Sequence, residues 1–220
     1  MLSTSLVYGV RNRVILVVLI ATAVAGFGVS SVELLWQPRV DSLLGGGGDT
    51  WVFGVLAAAY FFSDSASNLL ISPLCRSLRD NYPLALFLVR VGVAIALVVL
   101  ALQGEVLWFA LTFVAFFLVY GMEYSPTASI INRGIPMGKR STLLSFSSLV
   151  LQIGVLLGAI VTGAISEATS IQDAWFLSAV LMGTSALLFL LLPLVGGGRI
   201  PGTPINHNSS ALDDQHGSAG

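Results

Sequence analysis

The chain has 220 residues, of which 55% are hydrophobic and 10% are charged, and ten basic side chains against eleven acidic ones leave a net charge of −1. Soluble globular domains carry about 25% charged residues, so this composition indicates a membrane protein, and the lack of a basic excess argues against nucleic-acid binding. The lone Cys75 excludes an intrachain disulfide and a multi-thiolate metal site. His207 and His216 fall in a hydrophilic tail, which excludes an intramembrane histidine ligand.

Six apolar runs are long enough to cross a bilayer, since a spanning helix needs roughly 20 apolar residues. Arg11 and Arg13 precede the first run as they would in a secretory signal, but its apolar core continues to Val32, so we expect the run to be retained. The sequence therefore predicts an all-α integral membrane protein with six transmembrane helices. The predicted spans cover residues 14–37, 51–74, 83–102, 106–131, 141–165 and 174–195.

Basic residues predict the orientation of the spans, because cytoplasmic loops are enriched in Lys and Arg. Eight basic residues precede span one or follow spans two, four and six, whereas Arg39 stands alone on the opposite side. Both termini are thus predicted to be cytoplasmic, with residues 1–13 as an N-terminal segment, 14–195 as the bundle and 196–220 as a disordered tail. The glycine run 45–48 becomes a flexible outer connector. The eight residues are Arg11, Arg13, Arg76, Arg79, Arg133, Lys139, Arg140 and Arg199.

Polar residues recur at helical spacing in four spans, which gives each of these spans one polar face. Because lipid cannot satisfy polar groups, helices one, two, four and five are predicted to surround the interior, with three and six outside. For the hydroxyls alone, hydrogen bonding within the bundle is the favoured interpretation. The order polar, polar, apolar repeats, which predicts two three-helix repeats. The stripes are Thr22, Gly26, Ser30, Glu33 and Gln37; Tyr60, Asp64, Ser67 and Asn68; Tyr120, Glu123, Tyr124 and Thr127; and Ser141, Ser145, Ser148 and Gln152.

Four ionisable residues lie within the predicted spans, where each charge near the bilayer centre costs roughly 2.5 to 3.5 kcal/mol. Asp64, Arg90 and Glu123 are each predicted about 10 to 15 Å from the cytoplasmic boundary, so they can share one layer. Arg90 is predicted to form an intramembrane ion pair with Asp64 or Glu123. Asp64 or Glu123 is predicted to couple transport to protons, since a carboxyl gains a proton when desolvated and loses it when hydrated. Glu33 lies nearer the outer side, where it lines the cavity or occupies a solvated helix end.

Two segments, ELLWQPR at 33–39 and PMGKRSTLLS at 136–145, resemble parts of major facilitator superfamily transporters. The segment PMGKRSTLLS at 136–145, which continues to Gly154, Gly158 and Gly163, is similar to the cytoplasmic loop and eleventh helix of that family. The segment ELLWQPR at 33–39 is similar to the end of the seventh helix in bacterial drug-efflux-like members. The resemblance implies the C-terminal six-helix half of such a transporter, in a plasma membrane that would be a bacterial inner membrane. The spacing Gly154-x-x-x-Gly158 also predicts a close helix contact.

The resemblance implies secondary active transport by alternating access, specifically proton-coupled export of a small amphipathic compound. The implied partners are the lipid bilayer, the small-molecule substrate, protons, and a second six-helix half or a second copy of the chain. In such transporters the first helix of each triplet lines the substrate path. The candidate substrate-cavity residues are Glu33, Gln37, Tyr60, Asn68, Tyr120, Glu123, Tyr124 and Gln152.

Two other classes of function compete with transport. A membrane scaffold, or an inactive transporter fragment that binds partners without transporting, is the main alternative. A membrane enzyme is poorly supported, because the sequence has no G-x-S-x-G, H-E-x-x-H or P-loop match. We therefore expect no catalytic residue, no metal and no cofactor.

Overall fold

The structure is a computed structural model that describes residues 12–46, 49–79, 81–133 and 140–195. The predicted tail lies outside these ranges, as do Arg11, Lys139 and part of the glycine connector. Within them every regular element is an α-helix. The helices are α1 Arg13–Leu44, α2 Trp51–Ser77, α3 Tyr82–Leu102, α4 Val106–Gly121, α5 Tyr124–Arg133, α6 Arg140–Ala168 and α7 Ile171–Val195.

Six helical segments are long and apolar enough to cross a membrane, and α4 and α5 together form the fourth, over Val106–Asn132. This confirms the six predicted spans and the class of an all-helical, multi-pass membrane protein. The division into two three-helix repeats stays a prediction, as does the orientation of the termini.

Two internal prolines do not end their helices, although the predicted limits stop near them. α1 continues through Pro38 to Leu44, and α2 continues through Pro73 to Ser77. A proline inside a helix removes one backbone hydrogen bond, and the ladder resumes on its far side. α1 instead ends at Gly45, which has a φ of 66°. Glycine enters this left-handed conformation without the steric penalty of a Cβ atom.

The fourth span is broken into two helices by a turn at Met122 and Glu123. Pro126 explains the break, because it lacks the backbone N–H that would bond to the carbonyl of Met122 and its ring clashes with that carbonyl. The Glu123 N–H bonds instead to the carbonyl of Tyr120, at 3.1 Å. The span is therefore present as predicted over 106–131, but with an ionisable residue at a helix junction.

The spans differ in how they pack and in how far they are buried within the bundle. α3 and α7 pack against each other, α1 packs on α6 and α7, and α4 packs on α2 and α3. In their most apolar stretches, 44% of α3 and 39% of α7 are buried, compared with 22% of α2 and 17% of α6. Spans one and four are 56% and 39% buried in the same measure, so burial within the bundle does not test the prediction that spans three and six lie outside, which stays a prediction. The two almost wholly apolar helices supply much of the core. On the predicted stripe of α2, Ser67 is buried and only Asn68 is exposed, whereas the four stripe residues of α6 are all exposed.

α1 and α6 approach each other closely at three glycines. A Cβ atom on Gly26 would meet the backbone of α6, and Cβ atoms on Gly154 and Gly158 would meet the backbone of α1 at Ala23 and Phe27. Small residues allow this approach because no side chain separates the two backbones. The close contact expected from Gly154-x-x-x-Gly158 is confirmed.

Arg39 ties three helices together at the predicted outer end of the bundle. Its Nη2 donates to the carbonyl of Gln103, just after α3, at 2.6 Å. Its Nη1 donates to the amide oxygen of Gln172 on α7 at 2.8 Å when that amide is oriented to accept. Nearby, Trp175 Nε1 donates to the carbonyl of Ser31 at 2.9 Å. These polar contacts fix α1 against α3 and α7.

Candidate functional site

Arg90 on α3 and Glu123 at the α4–α5 junction form a buried ion pair. Nη2 of Arg90 donates to Oε2 of Glu123 at 2.7 Å, and Nε lies 2.6 Å from Oε1. The two residues are 1% and 7% exposed. The contact between Nε and Oε1 is a charge contact without hydrogen-bond geometry, so neither atom has a hydrogen-bond partner among the described residues. Of the two partners proposed for Arg90, the structure selects Glu123.

The guanidinium of Arg90 is also held by α1 and α7. Its Nη1 donates to the carbonyl of Ala21 at 3.1 Å and to Oγ of Ser185 at 3.3 Å, and it lies 3.3 Å from Sδ of Met182. The ring of Phe189 lies 5.4 Å from the guanidinium carbon, a cation–π distance. Arg90 therefore joins four parts of the bundle through one charged group.

A cavity of about 190 Å³ opens beside this pair, and we call it the ion-pair cavity. It is enclosed by α1, α3, α5, α6, α7 and the end of α4. Apolar side chains such as Ile131, Leu144 and Leu151 cover part of its wall. Its polar lining residues are Thr22, Arg90, Tyr120, Glu123, Tyr124, Thr127, Ser147 and Ser148.

A second cavity of about 170 Å³ adjoins the first, and we call it the carboxylate cavity. Tyr120, Tyr124 and Leu151 border both cavities. Glu33 and Asp64 line only the second one, and the lining residues described there include no Lys or Arg. The cavity is lined by Val29, Glu33, Tyr60, Asp64, Phe117, Tyr120, Tyr124, Leu151, Gln152 and Val155.

The two carboxylates of the second cavity come from different helices. Glu33 on α1 accepts a hydrogen bond from the Tyr60 hydroxyl on α2, at 3.1 Å. Asp64, one turn further along α2, is half-buried and lies against Gly121, where an added Cβ atom would meet its Oδ1 at 2.9 Å. The absence of a side chain at Gly121 thus lets α2 bring its carboxylate against α4. Among the described residues, no group of three His, Cys, Asp or Glu side chains could hold a metal ion.

The structure brings most of the predicted cavity residues together, but not all of them. Glu33, Tyr60, Asp64 and Gln152 meet Tyr120 and Tyr124 at the carboxylate cavity, and Glu123 lies in the next one. Gln37 and Asn68 are exposed and line neither cavity. The stripe serines of α6 are exposed as well. We call the exposed polar residues of the α1, α2 and α6 stripes together the polar face; they are Glu33, Gln37, Asn68, Ser141, Ser145, Ser148 and Gln152.

Sequence reasoning missed the partners that α7 provides for Arg90. Met182, Ser185 and Phe189 recur at spacings of three and four, which places them on one helical face. Ser185 stood out only as a scattered hydroxyl in an apolar span. A search for polar or sulfur groups in register with Arg90 would have found this face.

Comparison with family models and curated proteins identifies no relative of this chain. No family model matches the chain, and no curated protein is detectably similar to it. The resemblance to major facilitator transporters therefore stays a prediction. What the fold defines is a class: a six-span helical membrane protein with a buried ion pair beside two carboxylates.

Proposed function

We propose that this chain is one six-helix half of a secondary active transporter that exports a small amphipathic solute in exchange for protons. The observation that carries the proposal is the broken fourth span, which places Glu123 and its partner Arg90 beside a cavity inside the bundle. Secondary transporters commonly build their binding sites at discontinuous helices near the midplane. Each charge is costly to bury in a membrane, and ionisable residues inside membrane spans commonly mark substrate or ion pathways.

Asp64 is the carboxylate best placed to carry the coupling proton. It lines the carboxylate cavity, where the described lining includes no basic side chain. Glu123, the other candidate, is held by two contacts with Arg90 and so has a fixed counter-charge. A carboxyl takes up a proton when its surroundings become dry and releases it when they become wet. Opening and closing of the cavity would therefore drive Asp64 between its two protonation states.

The exposed polar face supports the need for a second bundle. Glu33, Gln37, Asn68 and Gln152 are exposed on it, and lipid offers no partner for their polar groups. Alternating access requires two bundles that rock against each other around a shared site. We propose that a second six-helix half, or a second copy of this chain, covers this face.

The basic residues support a location in the plasma membrane with both termini in the cytoplasm. Their distribution among the predicted loops follows the positive-inside rule. In this orientation Arg39 and its contacts lie at the outer end, and the end of α5 and the start of α6 lie at the cytoplasmic end. A bacterial inner membrane fits the resemblance described above.

Uptake into proteoliposomes tests the proposal. The purified chain is reconstituted, and the entry of lipophilic dyes, short amines and amino acids is followed with and without an acidic interior. We expect at least one solute to accumulate with the gradient beyond its uptake into protein-free vesicles, because protons leaving through the chain would drive its entry. If no solute in the panel responds to the gradient, while cross-linking shows that the chain pairs in the same vesicles, the transporter proposal is wrong.

A further inference from the structure

We propose that a further cavity of the bundle, lined mainly by aromatic rings, binds a methylated ammonium group. The ligand class is thus a quaternary ammonium compound with a small head group. The binding itself does not depend on the proposed function. Only the identification of the bound compound with the transported solute rests on it.

This cavity has a volume of about 250 Å³ and lies between α1, α2 and α4, and we call it the aromatic cavity. Five of its seven lining residues are aromatic, and the described lining includes no Lys or Arg. The cavity therefore combines a largely aromatic wall with a single ionisable carboxylate. It is lined by Glu33 and Ala57 together with Trp36, Tyr60, Phe61, Phe113 and Phe117.

The rings around the cavity contact one another with their planes at large angles. The ring of Phe117 lies 4.2 Å from that of Tyr60 and 4.9 Å from that of Phe113, with interplanar angles of 71° and 72°. Trp36 packs on Phe113 at 5.3 Å and 44°. Rings in such different planes border a space from several directions, which a parallel stack does not. Aromatic rings grouped in this way are the usual means of recognising quaternary ammonium groups, because the face of each ring attracts a cation.

Glu33 supplies the opposite charge. Its side chain is exposed and lines the cavity, so a ligand in the cavity can reach the carboxylate. The Tyr60 hydroxyl donates to its Oε1 at 3.1 Å, which holds the carboxylate beside one of the rings. An anionic ligand would meet this negative charge with no basic side chain in the described lining to offset it. The charge of the cavity therefore favours a cation.

The hydrogen-bonding groups favour a methylated cation over a primary one. A primary ammonium carries three N–H donors, as the lysine side chain does. The Glu33 carboxylate and the Tyr60 hydroxyl are the side-chain acceptors in the lining, and the remaining rings offer none. Donors that leave water without a new partner are costly to bury. A quaternary ammonium has no N–H group to satisfy, and its methyl groups can contact the rings directly.

The volume of the cavity limits the size of the head group. At about 250 Å³, it is smaller than the roughly 300 to 1,000 Å³ of pockets for drug-sized ligands. A trimethylammonium group with a short substituent is a compound of suitable size, and choline is the simplest probe of this kind.

Three matched probes test this inference. The purified full chain in phosphatidylglycerol nanodiscs, which contain no choline head groups, is titrated by calorimetry with empty nanodiscs as the blank. The probes are choline, ethanolamine, and dimethylbutanol, in which carbon replaces the nitrogen of choline and removes its charge. We expect choline to bind at least tenfold more tightly than dimethylbutanol and several-fold more tightly than ethanolamine. No binding of choline, or equal affinity for choline and either of the other probes, would overturn the inference.

Variants then locate the site. Glu33→Gln keeps an oxygen that can accept from Tyr60 but removes the charge, so we expect at least tenfold weaker choline binding. Phe61→Leu removes one ring and should weaken binding several-fold. Both side chains are exposed, so neither change opens a gap in the core. Phe62→Leu and Glu167→Gln are the matched controls, because both side chains are exposed and line none of the three cavities.

Phe61 distinguishes the aromatic cavity from its neighbour. It lines the aromatic cavity alone, whereas Glu33 also lines the carboxylate cavity. Full choline binding in Phe61→Leu would therefore place the ligand elsewhere and contradict the site. Loss of binding in either control would contradict it as well.

The two proposals fail separately. Selective choline binding with no gradient-driven flux of any solute would leave the aromatic site standing and remove the transporter. Gradient-driven flux in a protein that does not prefer choline to dimethylbutanol would do the reverse.

Discussion

Arg90 on α3 faces Glu123 at the break of the fourth span, with one nitrogen opposite each carboxylate oxygen, at 2.6 and 2.7 Å. The pair is almost wholly buried, and the two residues are 33 positions apart in the chain. The pair connects α3, which was predicted to be peripheral, with the α4–α5 junction, which lines the ion-pair cavity. The charge pair therefore couples the position of α3 to the geometry of the site.

Neutralising one member of this pair should destabilise the bundle strongly. Removing one partner of a buried ion pair costs about 3 to 5 kcal/mol, because the other charge is left uncompensated. We expect Glu123→Gln to lower the free energy of unfolding by about that amount, and Arg90→Met combined with Glu123→Gln to recover part of it. Unfolding in mixed detergent micelles measures both. A single variant as stable as the unmodified chain would contradict the burial of the pair.

Replacing Pro126 should change the break in the fourth span. Pro126→Ala restores a backbone N–H opposite the carbonyl of Met122, and a proline inside a helix costs about 3 kcal/mol. We expect a more continuous helix, slower hydrogen exchange around residues 122–127 and a lower rate of transport. The variant Pro193→Ala in α7 is the control, since that proline lies away from both cavities. Unchanged exchange in Pro126→Ala would show that the proline does not cause the break.

The close contact between α1 and α6 should be sensitive to a single methyl group. A Cβ atom at position 154 would meet the backbone of Ala23, and overpacking of this kind typically costs about 1 to 3 kcal/mol. We expect Gly154→Ala to reduce the thermal stability of the chain. Gly54→Ala is the matched control, because a Cβ atom there meets no other atom within 4 Å. Equal losses of thermal stability in the two variants would exclude close packing as the reason that position 154 requires glycine.

The outer contacts of Arg39 should contribute to stability independently of the cavities. Hydrogen bonds to charged groups contribute about 1.5 to 3 kcal/mol each, and Arg39 makes them to Gln103 and Gln172. We expect Arg39→Met to reduce the free energy of unfolding by at least about 3 kcal/mol, because both hydrogen bonds are lost. Arg13→Met, at the exposed start of α1, should have little effect. A neutral result for Arg39→Met would mean that α1 is held at this end by apolar contacts.

Hydropathy was sufficient to predict the six spans, since each apolar run exceeds the length that a bilayer requires. The expectation of an ion pair followed from the cost of an isolated Arg90 in an apolar helix. The break at Glu123 was missed because the apolar run continues past it; Pro126, four positions after Met122, favours a break there, but Pro38 and Pro73 lie inside helices that continue, so a proline alone does not predict one. Helices α3 and α7 are apolar on most sides, so their sequences do not show which face is buried.

Polar periodicity predicted which residues share a face but not whether the bundle encloses that face. Tyr60, Asp64, Tyr120 and Tyr124 do meet at the carboxylate cavity. Gln37 and Asn68, on the same stripes, are exposed and lie outside it. The spacing of residues along a helix determines which side of the helix they occupy. Whether that side is enclosed depends on the neighbouring helices.

The central claim is that Asp64 couples solute movement to protons, and proton counting during transport tests it most directly. Vesicles containing the chain and a pH-sensitive dye are given a transported solute, and the proton flux is compared for the unmodified chain, Asp64→Asn and the control Glu167→Gln, whose carboxylate is exposed at the end of α6. We expect solute-driven proton flux in the unmodified chain and in Glu167→Gln, and at least a tenfold reduction in Asp64→Asn. An undiminished ratio of protons to solute in Asp64→Asn would contradict the account.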